Sequence, residues 1–191
     1  MSLTHLPNII TASRIALVPV LILALRDQRY DWALAIFAYA GLSDGLDGFL
    51  AKRFNLASRL GAMLDPAADK ILLVSAYVML TLLDQIPFWL TLTVVFRDLL
   101  IVGGYLVYTS LYGPVAMQPS LASKFNTLAQ LALITVILGD LALKLTLGGV
   151  VSILVYLVFA TTVASGVHYF WSWLIQRAVE PARPRGAHRE R

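Results

Sequence analysis

Six mainly apolar stretches divide this chain: Pro7–Leu25, Tyr30–Ala51, Leu60–Leu83, Phe88–Leu111, Leu121–Leu141 and Leu147–Leu174. Each is long enough to cross the ~30 Å hydrocarbon core of a bilayer, which takes about 20 residues of α-helix. Inside lipid there is no water to satisfy a backbone N–H or C=O, so a spanning segment that is not part of a closed barrel must be helical. The expected fold class is therefore all-α, an integral membrane protein of six transmembrane helices. Of the 191 residues, 59% are hydrophobic and 14% are charged, whereas a soluble domain carries about 25% charged residues.

The opening segment, MSLTHLPN, is too short to span and reads as a short interfacial helix. Residues 1–176 are expected to form one membrane domain, and 177–191 ("RAVEPARPRGAHRER") a basic, disordered cytoplasmic tail. The first apolar run carries Arg14 in its interior, so no cleavable leader is expected. The net charge of +4 is read as basic loops beside an anionic membrane face, with no nucleic-acid partner. With the N-terminus in the cytoplasm, the inner segments hold Lys52, Arg53, Arg59, Lys124, Arg177, Arg183, Arg185, Arg189 and Arg191. The outer segments hold Arg26, Arg29 and Lys144, offset by Asp27, Asp31, Asp84 and Asp140. That imbalance puts both termini, and the loop between the second and third helices, on the cytoplasmic side. The absence of cysteine excludes disulfides, zinc–thiolate sites and cysteine nucleophiles.

Loop charges are ordinary; charges within the spans cost roughly 2.5–3.5 kcal/mol each at mid-helix. They are Arg14, Asp44, Asp47, Asp65, Asp69, Lys70, Arg97 and Asp98. For Arg14 and the Arg97/Asp98 pair the sequence leaves two readings open: mutual neutralisation, or a functional site. Four aspartates between residues 43 and 70 are different, because like charges repel and something cationic must hold them together. Asp44 and Asp47 are three apart and Asp65 and Asp69 four apart, so each pair shares a helix face. All-oxygen ligands suit magnesium or manganese, and two such ions would clamp a displacement at phosphorus. Gly48 and Gly61 fall on the same faces and leave backbone bare for a phosphate-bearing ligand. Lys52, Arg53 and Arg59 supply positive charge for phosphate, and Ser58 a hydroxyl.

The full spacing is Asp-x-x-Asp-Gly-x-x-Ala, a basic residue, eight residues, Gly, three residues, Asp, three residues, Asp. Here it is Asp44, Asp47, Gly48, Ala51, Lys52, Gly61, Asp65 and Asp69, and it resembles the signature of the CDP-alcohol phosphotransferases. Lys52 stands where that signature usually has arginine, keeping the charge but losing bidentate phosphate geometry. The resemblance extends to "NIITASR" in the first helix (Asn8, Thr11, Arg14). It implies six transmembrane helices, a homodimer, two divalent metal ions at the cytoplasmic face and a CDP-linked lipid donor, commonly CDP-diacylglycerol. It implies Asp44, Asp47, Asp65 and Asp69 as metal ligands, with Asp69 also the base that takes the proton from the acceptor hydroxyl. Gly48, Lys52, Ser58 and Gly61, with Asn8 and Thr11, fall at positions implied to contact the CDP-lipid.

The aspartate motif is silent on the acceptor. "FRDLL" (Arg97, Asp98) and "SKFNTLAQ" (Ser123, Lys124, Asn126, Thr127, Gln130) resemble the branch of the family that uses phosphatidylglycerol and forms cardiolipin. Its relatives that use glycerol-3-phosphate usually carry a second lysine where this chain has Asn126, and a neutral amide suits a less anionic acceptor. The acceptor-binding candidates are thus Arg97, Asp98, Lys124, Asn126 and Thr127. Lys124, Thr127 and Gln130 are spaced to line one helix face, although Lys124 also reads as an interfacial residue whose amine reaches the headgroups. The expected reaction is phosphatidyl transfer from CDP-diacylglycerol to phosphatidylglycerol, with glycerol-3-phosphate as the alternative acceptor. A cation-coupled transporter is the distant alternative, disfavoured because the acidic motif occurs once instead of in paired halves.

Overall fold

A computed structural model of the chain describes residues 6–54, 59–112 and 121–179, with side chains described for 13–43, 69–104, 121–169 and 171. It contains six α-helices: α1 (Leu6–Arg26), α2 (Tyr30–Phe54), α3 (Arg59–Leu82), α4 (Phe88–Tyr112), α5 (Leu121–Leu143) and α6 (Gly148–Val179). No strand occurs among the described residues. Each helix coincides with one apolar stretch of the sequence. Residues 1–5 of the expected interfacial segment lie outside the described residues, and Leu6–Asn8 begin α1 itself. At the other end α6 runs to Val179, past the expected tail boundary at 176.

The ends of α1, α3 and α5 are closed by one local device. Gln28, Asp84 and Lys144 take up the left-handed conformation, with φ of 56°, 57° and 53°. After α1, the N–H of Arg29 bonds to the Ala24 carbonyl (2.8 Å) and that of Gln28 to the Leu25 carbonyl (3.1 Å). After α3, Gln85 bonds back to Leu80 (2.8 Å) and Asp84 to Thr81 (3.1 Å). This paired pattern satisfies carbonyls that a helix end otherwise leaves open. After α5, Leu145 bonds back to Asp140 (3.3 Å), and the Asp140 carboxylate accepts from the Leu147 N–H (2.9 Å), tying α5 to the start of α6.

α1 packs against both α2 and α3; α5 packs against α6 and α2, and α4 against α6. The core is made of Leu21 and Leu25 (α1), Phe37 (α2), Tyr77 and Leu80 (α3), Leu90 and Val94 (α4), Leu133, Ile134 and Leu138 (α5) and Val158 (α6). Ala33, Ala40 and Ala76 are also fully buried, small residues that let helix backbones approach closely. The outer faces are as apolar as the core: Leu92, Phe96, Leu99 and Leu100 on α4 and Ile153, Tyr156 and Val167 on α6 are exposed. Contiguous apolar surface of this kind marks a face that meets something other than water. Among the described residues two helices are long and apolar enough to cross a membrane: Leu121–Leu143, with mean hydropathy 1.6, and Gly148–Tyr169, with 2.2.

Candidate active site

The deepest polar feature is a chain of charges crossing the bundle. Arg14 on α1 is the largest fully buried side chain, 1% exposed, and its Nη1 donates to Oδ1 of Asp69 on α3. The Asp69 side chain is 42% exposed, so the carboxylate is held by a buried cation while part of its surface stays accessible. The next residue on α3, Lys70, points its Nζ to Oδ2 of Asp98 on α4, at 2.6 Å. Arg97 donates from Nη1 to the other oxygen of Asp98, at 2.7 Å. The Nη2 of Arg97 then reaches Ser123 Oγ on α5 (2.7 Å) and Ser165 Oγ on α6 (2.6 Å). Five helices thus contribute to one polar path.

The path explains how the bundle carries its charges. Asp98, 8% exposed, is held by two cations at once, and Arg97 is 5% exposed. Buried charges are tolerated only when paired and hydrogen-bonded, and the contacts meet both conditions. Among the described residues three cations (Arg14, Lys70, Arg97) face two carboxylates (Asp69, Asp98) along the path.

The acceptor candidates divide. Arg97 and Asp98 lie on the path. Ser123, Lys124, Thr127, Leu128 and Leu131 line a shallow groove of about 340 Å³ on α5, so Lys124 and Thr127 share a neighbourhood with the Arg97 partner Ser123. Thr127 Oγ1 donates back to the Ser123 carbonyl (3.1 Å). Asn126 lies on the opposite face, fully buried, where its Oδ1 accepts from Thr161 and Thr162 of α6, each at 2.9 Å. Gln130 is also fully buried, so it does not share the face of Lys124 and Thr127 as its spacing suggested. Positions 126, 130, 133, 134 and 137 make the buried face of α5, and the 3.6-residue turn carries 124, 127, 128 and 131 away from it.

On the donor side, Asn8 and Thr11 fall in the first turns of α1, Asp44, Asp47, Gly48 and Lys52 in the last turns of α2, and Gly61 and Asp65 in the first turns of α3. The side chains of these residues, and Ser58 altogether, lie outside the described ones. No group of three or more metal-ligating side chains occurs among the described residues, of which Asp69 is the motif's one member. The donor set of the motif is carboxylate only, and Asp69 retains an exposed face; both fit a hard divalent cation, which prefers oxygen ligands.

Three contributions were not read from the sequence. Arg14 and Lys70 stand out in it as charges at membrane depth, but their partners are 55 and 28 residues away. Ser165 carries only the faint signal of a small hydroxyl inside an apolar run, a residue type that bonds across helices in membranes.

The chain matches the model of the family described as CDP-alcohol phosphatidyltransferase over residues 4–174. It is 35% identical over 181 residues to a cardiolipin synthase (CMP-forming) of Homo sapiens, covering 86% of this chain and 60% of that protein. It is 37% identical over 145 residues to that of Rattus norvegicus, covering 68% and 48%. With the cardiolipin synthase (CMP-forming) of Streptomyces coelicolor it shares 44% over 109 residues, 53% of this chain and 51% of that protein. The chain therefore spans 48–60% of the length of these curated relatives. The family match reaches every one of the six helices, and the chain belongs to the CDP-alcohol phosphatidyltransferase family, whose members are bound to membranes.

Proposed function

We propose that this protein is a membrane phosphatidyltransferase that moves a phosphatidyl group from CDP-diacylglycerol to a hydroxyl of phosphatidylglycerol, giving cardiolipin and CMP. The observation that carries the reading is the polar path from Asp69 to Ser123. It sets the last aspartate of the donor motif beside the residues whose pattern distinguishes the acceptor. The names of the relatives, cardiolipin synthase (CMP-forming) at 35–44% identity, support the same acceptor.

In this reading Asp69 takes the proton from the attacking hydroxyl while Arg14 fixes its carboxylate through Oδ1. The acceptor oxygen forms a bond to the lipid-side phosphorus of the donor, and the bond from that phosphorus to the CMP oxygen breaks. Asp44, Asp47, Asp65 and Asp69 would hold two divalent ions, Mg²⁺ or Mn²⁺, which when bound supply positive charge to the phosphate oxygens and the leaving group. Gly48, Lys52, Ser58 and Gly61, with Asn8 and Thr11, receive the CDP-lipid. The cations Arg97 and Lys70, with Lys124 beside Ser123, suit an anionic acceptor headgroup. All six helices span the bilayer, both termini and the site face the cytoplasm, and the protein acts as a homodimer.

Purified protein is supplied with CDP-diacylglycerol, Mg²⁺ or Mn²⁺, and either phosphatidylglycerol or glycerol-3-phosphate, while CMP release and lipid products are recorded. CMP and cardiolipin are expected with phosphatidylglycerol. Turnover with glycerol-3-phosphate alone would replace the acceptor, and no CMP with either would end the enzyme reading.

A further inference from the structure

The end of the bundle that carries the α3–α4 and α5–α6 turns has a polar feature of its own. Where the α3–α4 turn meets the start of α6, a groove of about 450 Å³ is lined by, among others, Thr81, Asp84, Gln85, Trp89, Ser152 and Tyr156. Its aliphatic hydroxyls and its amide N–H are spent inward. Thr81 Oγ1 donates to the Tyr77 carbonyl (2.8 Å), with Thr91 Oγ1 2.6 Å away. Gln85 Nε2 donates to the Leu83 carbonyl (3.0 Å) and Ser152 Oγ to the Gly148 carbonyl (2.9 Å). Three acceptors are left: the Gln85 Oε1, the lone pairs of Ser152, and the exposed carboxylate of Asp84, which has no ion pair among the described residues. No lysine or arginine lines the groove.

The aromatic side is held in place. Trp89 meets Phe159 edge to face, with ring centroids 5.2 Å apart, and stands 6.3 Å from the ring of Tyr156. A π face attracts a cation, as an unpaired carboxylate does. On α4, Leu92 and Phe96 follow Trp89 at three and seven residues, and on α6, Phe159 and Val163 follow Tyr156 in the same way. That spacing keeps each set on one helix face, and all four are exposed. Two apolar stripes therefore run from the groove toward the middle of the bundle.

We propose that this groove binds the headgroup of a phospholipid bearing a primary ammonium, of the phosphatidylethanolamine type, in the leaflet that borders this end of the bundle. The ammonium offers three N–H donors to the oxygens of Asp84, Gln85 and Ser152, and its charge lies beside the rings. The phosphate meets the two ring-borne donors that remain, the Trp89 N–H and the Tyr156 O–H. The acyl chains follow the two stripes, so the lipid points its headgroup to the end of the bundle and its tails to the middle, whichever side of the membrane that end faces. A choline headgroup brings the charge without an N–H. An anionic headgroup meets Asp84 with no cation to offset it, and a hard divalent ion prefers more oxygen ligands than one carboxylate provides. The inference needs the helices to span a bilayer and is independent of which acceptor the aspartate motif serves.

The full chain in phosphatidylcholine nanodiscs is given trace phosphatidylethanolamine, N,N-dimethyl-phosphatidylethanolamine or phosphatidylcholine, each with the same diazirine in its acyl chain. Adducts are expected within 92–96 and 156–163. Their yield is expected to fall along that series, by roughly three- to tenfold from first to last, the scale of one or two partly exposed polar contacts. Asp84→Asn removes the charge and keeps a residue that tolerates the left-handed turn, φ 57°. It is expected to bring the ratio of first to last close to one. Equal yields in the unaltered protein overturn the proposal, and so does a ratio that Asp84→Asn leaves unchanged. A phosphatidylglycerol probe that labels the groove more strongly than phosphatidylethanolamine would make it an anion site and overturn it too. If Asp84→Asn fails to fold, the three-lipid series in the unaltered protein decides alone. Ser152→Cys adds a single thiol to a chain without cysteine; efficient oxidation to a disulfide-linked dimer would assign the groove to a contact between two copies instead of a lipid.

Discussion

Asp69 is held by the buried guanidinium of Arg14, and in the proposed reaction it also serves the attacking hydroxyl. Asp69→Asn keeps an oxygen for Arg14 and removes the basic function together with the negative charge offered to a metal ion. Turnover is expected to fall by about 10²–10⁴-fold, the usual worth of a positioned base, with the protein still folded by size-exclusion and thermal melting; near-normal turnover would take the base role from it. Asp98 is a different case, because it neutralises two cations. Asp98→Asn leaves Lys70 and Arg97 facing each other across an amide. A loss of roughly 3–5 kcal/mol is expected, as for removing one partner of a buried pair. Most of that loss should disappear in a Lys70→Met background, as a double-mutant cycle of melting curves would show. Asn126 tests a reading that the sequence invites. Its neutral amide stands where a glycerol-3-phosphate enzyme usually has lysine, yet its oxygen is spent on Thr161 and Thr162. Asn126→Lys is expected to destabilise the α5–α6 contact by several kcal/mol through an unpaired buried charge, without conferring glycerol-3-phosphate turnover. A stable variant that accepts glycerol-3-phosphate would restore Asn126 as an acceptor determinant. The candidate site was legible where the pattern is local, in pairs of aspartates three and four apart. It was not legible where a contact depends on which helices become neighbours: the Arg97–Ser165 bond spans 68 residues, and no periodicity within α4 or α6 specifies it.

The helices were legible as elements because each apolar run is nearly as long as its helix, and because the breaks between them are polar. What the breaks do was less legible. None of the three capping residues in the left-handed conformation is glycine, so the usual stop signal is missing. Asp84 tolerates that conformation, its short side chain being of the kind that bonds locally, whereas Lys144 has no such means. Holding an ordinary residue there costs roughly 1–2 kcal/mol, and glycine returns about 0.4–1 kcal/mol of that as unfolded-state freedom. Lys144→Gly is therefore expected to stabilise the α5–α6 turn by about 0.5–1 kcal/mol, read as a higher melting temperature in detergent. A lower one would mean that the Lys144 side chain makes a contact that outweighs its backbone strain.

At the scale of the whole molecule the two ends of the bundle differ. The end with the α1–α2, α3–α4 and α5–α6 turns is tightly capped and bordered by Trp32, Phe88 and Trp89, which are exposed and of the type that settles at membrane interfaces. The other end holds the donor motif on α2 and α3 and the start of α5. It also receives α6, whose 32 residues reach about 48 Å at 1.5 Å per residue. That is more than the ~30 Å apolar core of a bilayer needs, so in a membrane-spanning α6 the end at Arg177 would extend beyond the hydrocarbon. The excess of lysine and arginine at this end is the basis for proposing that it faces the cytoplasm. The chain contains no cysteine, so single thiols can be introduced without any background to remove. Lys144→Cys, in the capped α5–α6 turn, is expected to react with a membrane-impermeant maleimide in intact cells. Arg183→Cys, in the segment after α6, is expected to react only once the membrane is opened. Lys144 lies in the turn at the capped end and Arg183 outside the described residues, so the proposed turnover in the two variants, compared with the unaltered protein, checks that the labelled protein is correctly assembled. The reverse pattern would place the aspartate motif outside and defeat the topology. Labelling of both thiols in intact cells would mean that no single crossing separates the turn from the tail, and α6 would have to lie along the membrane instead of through it.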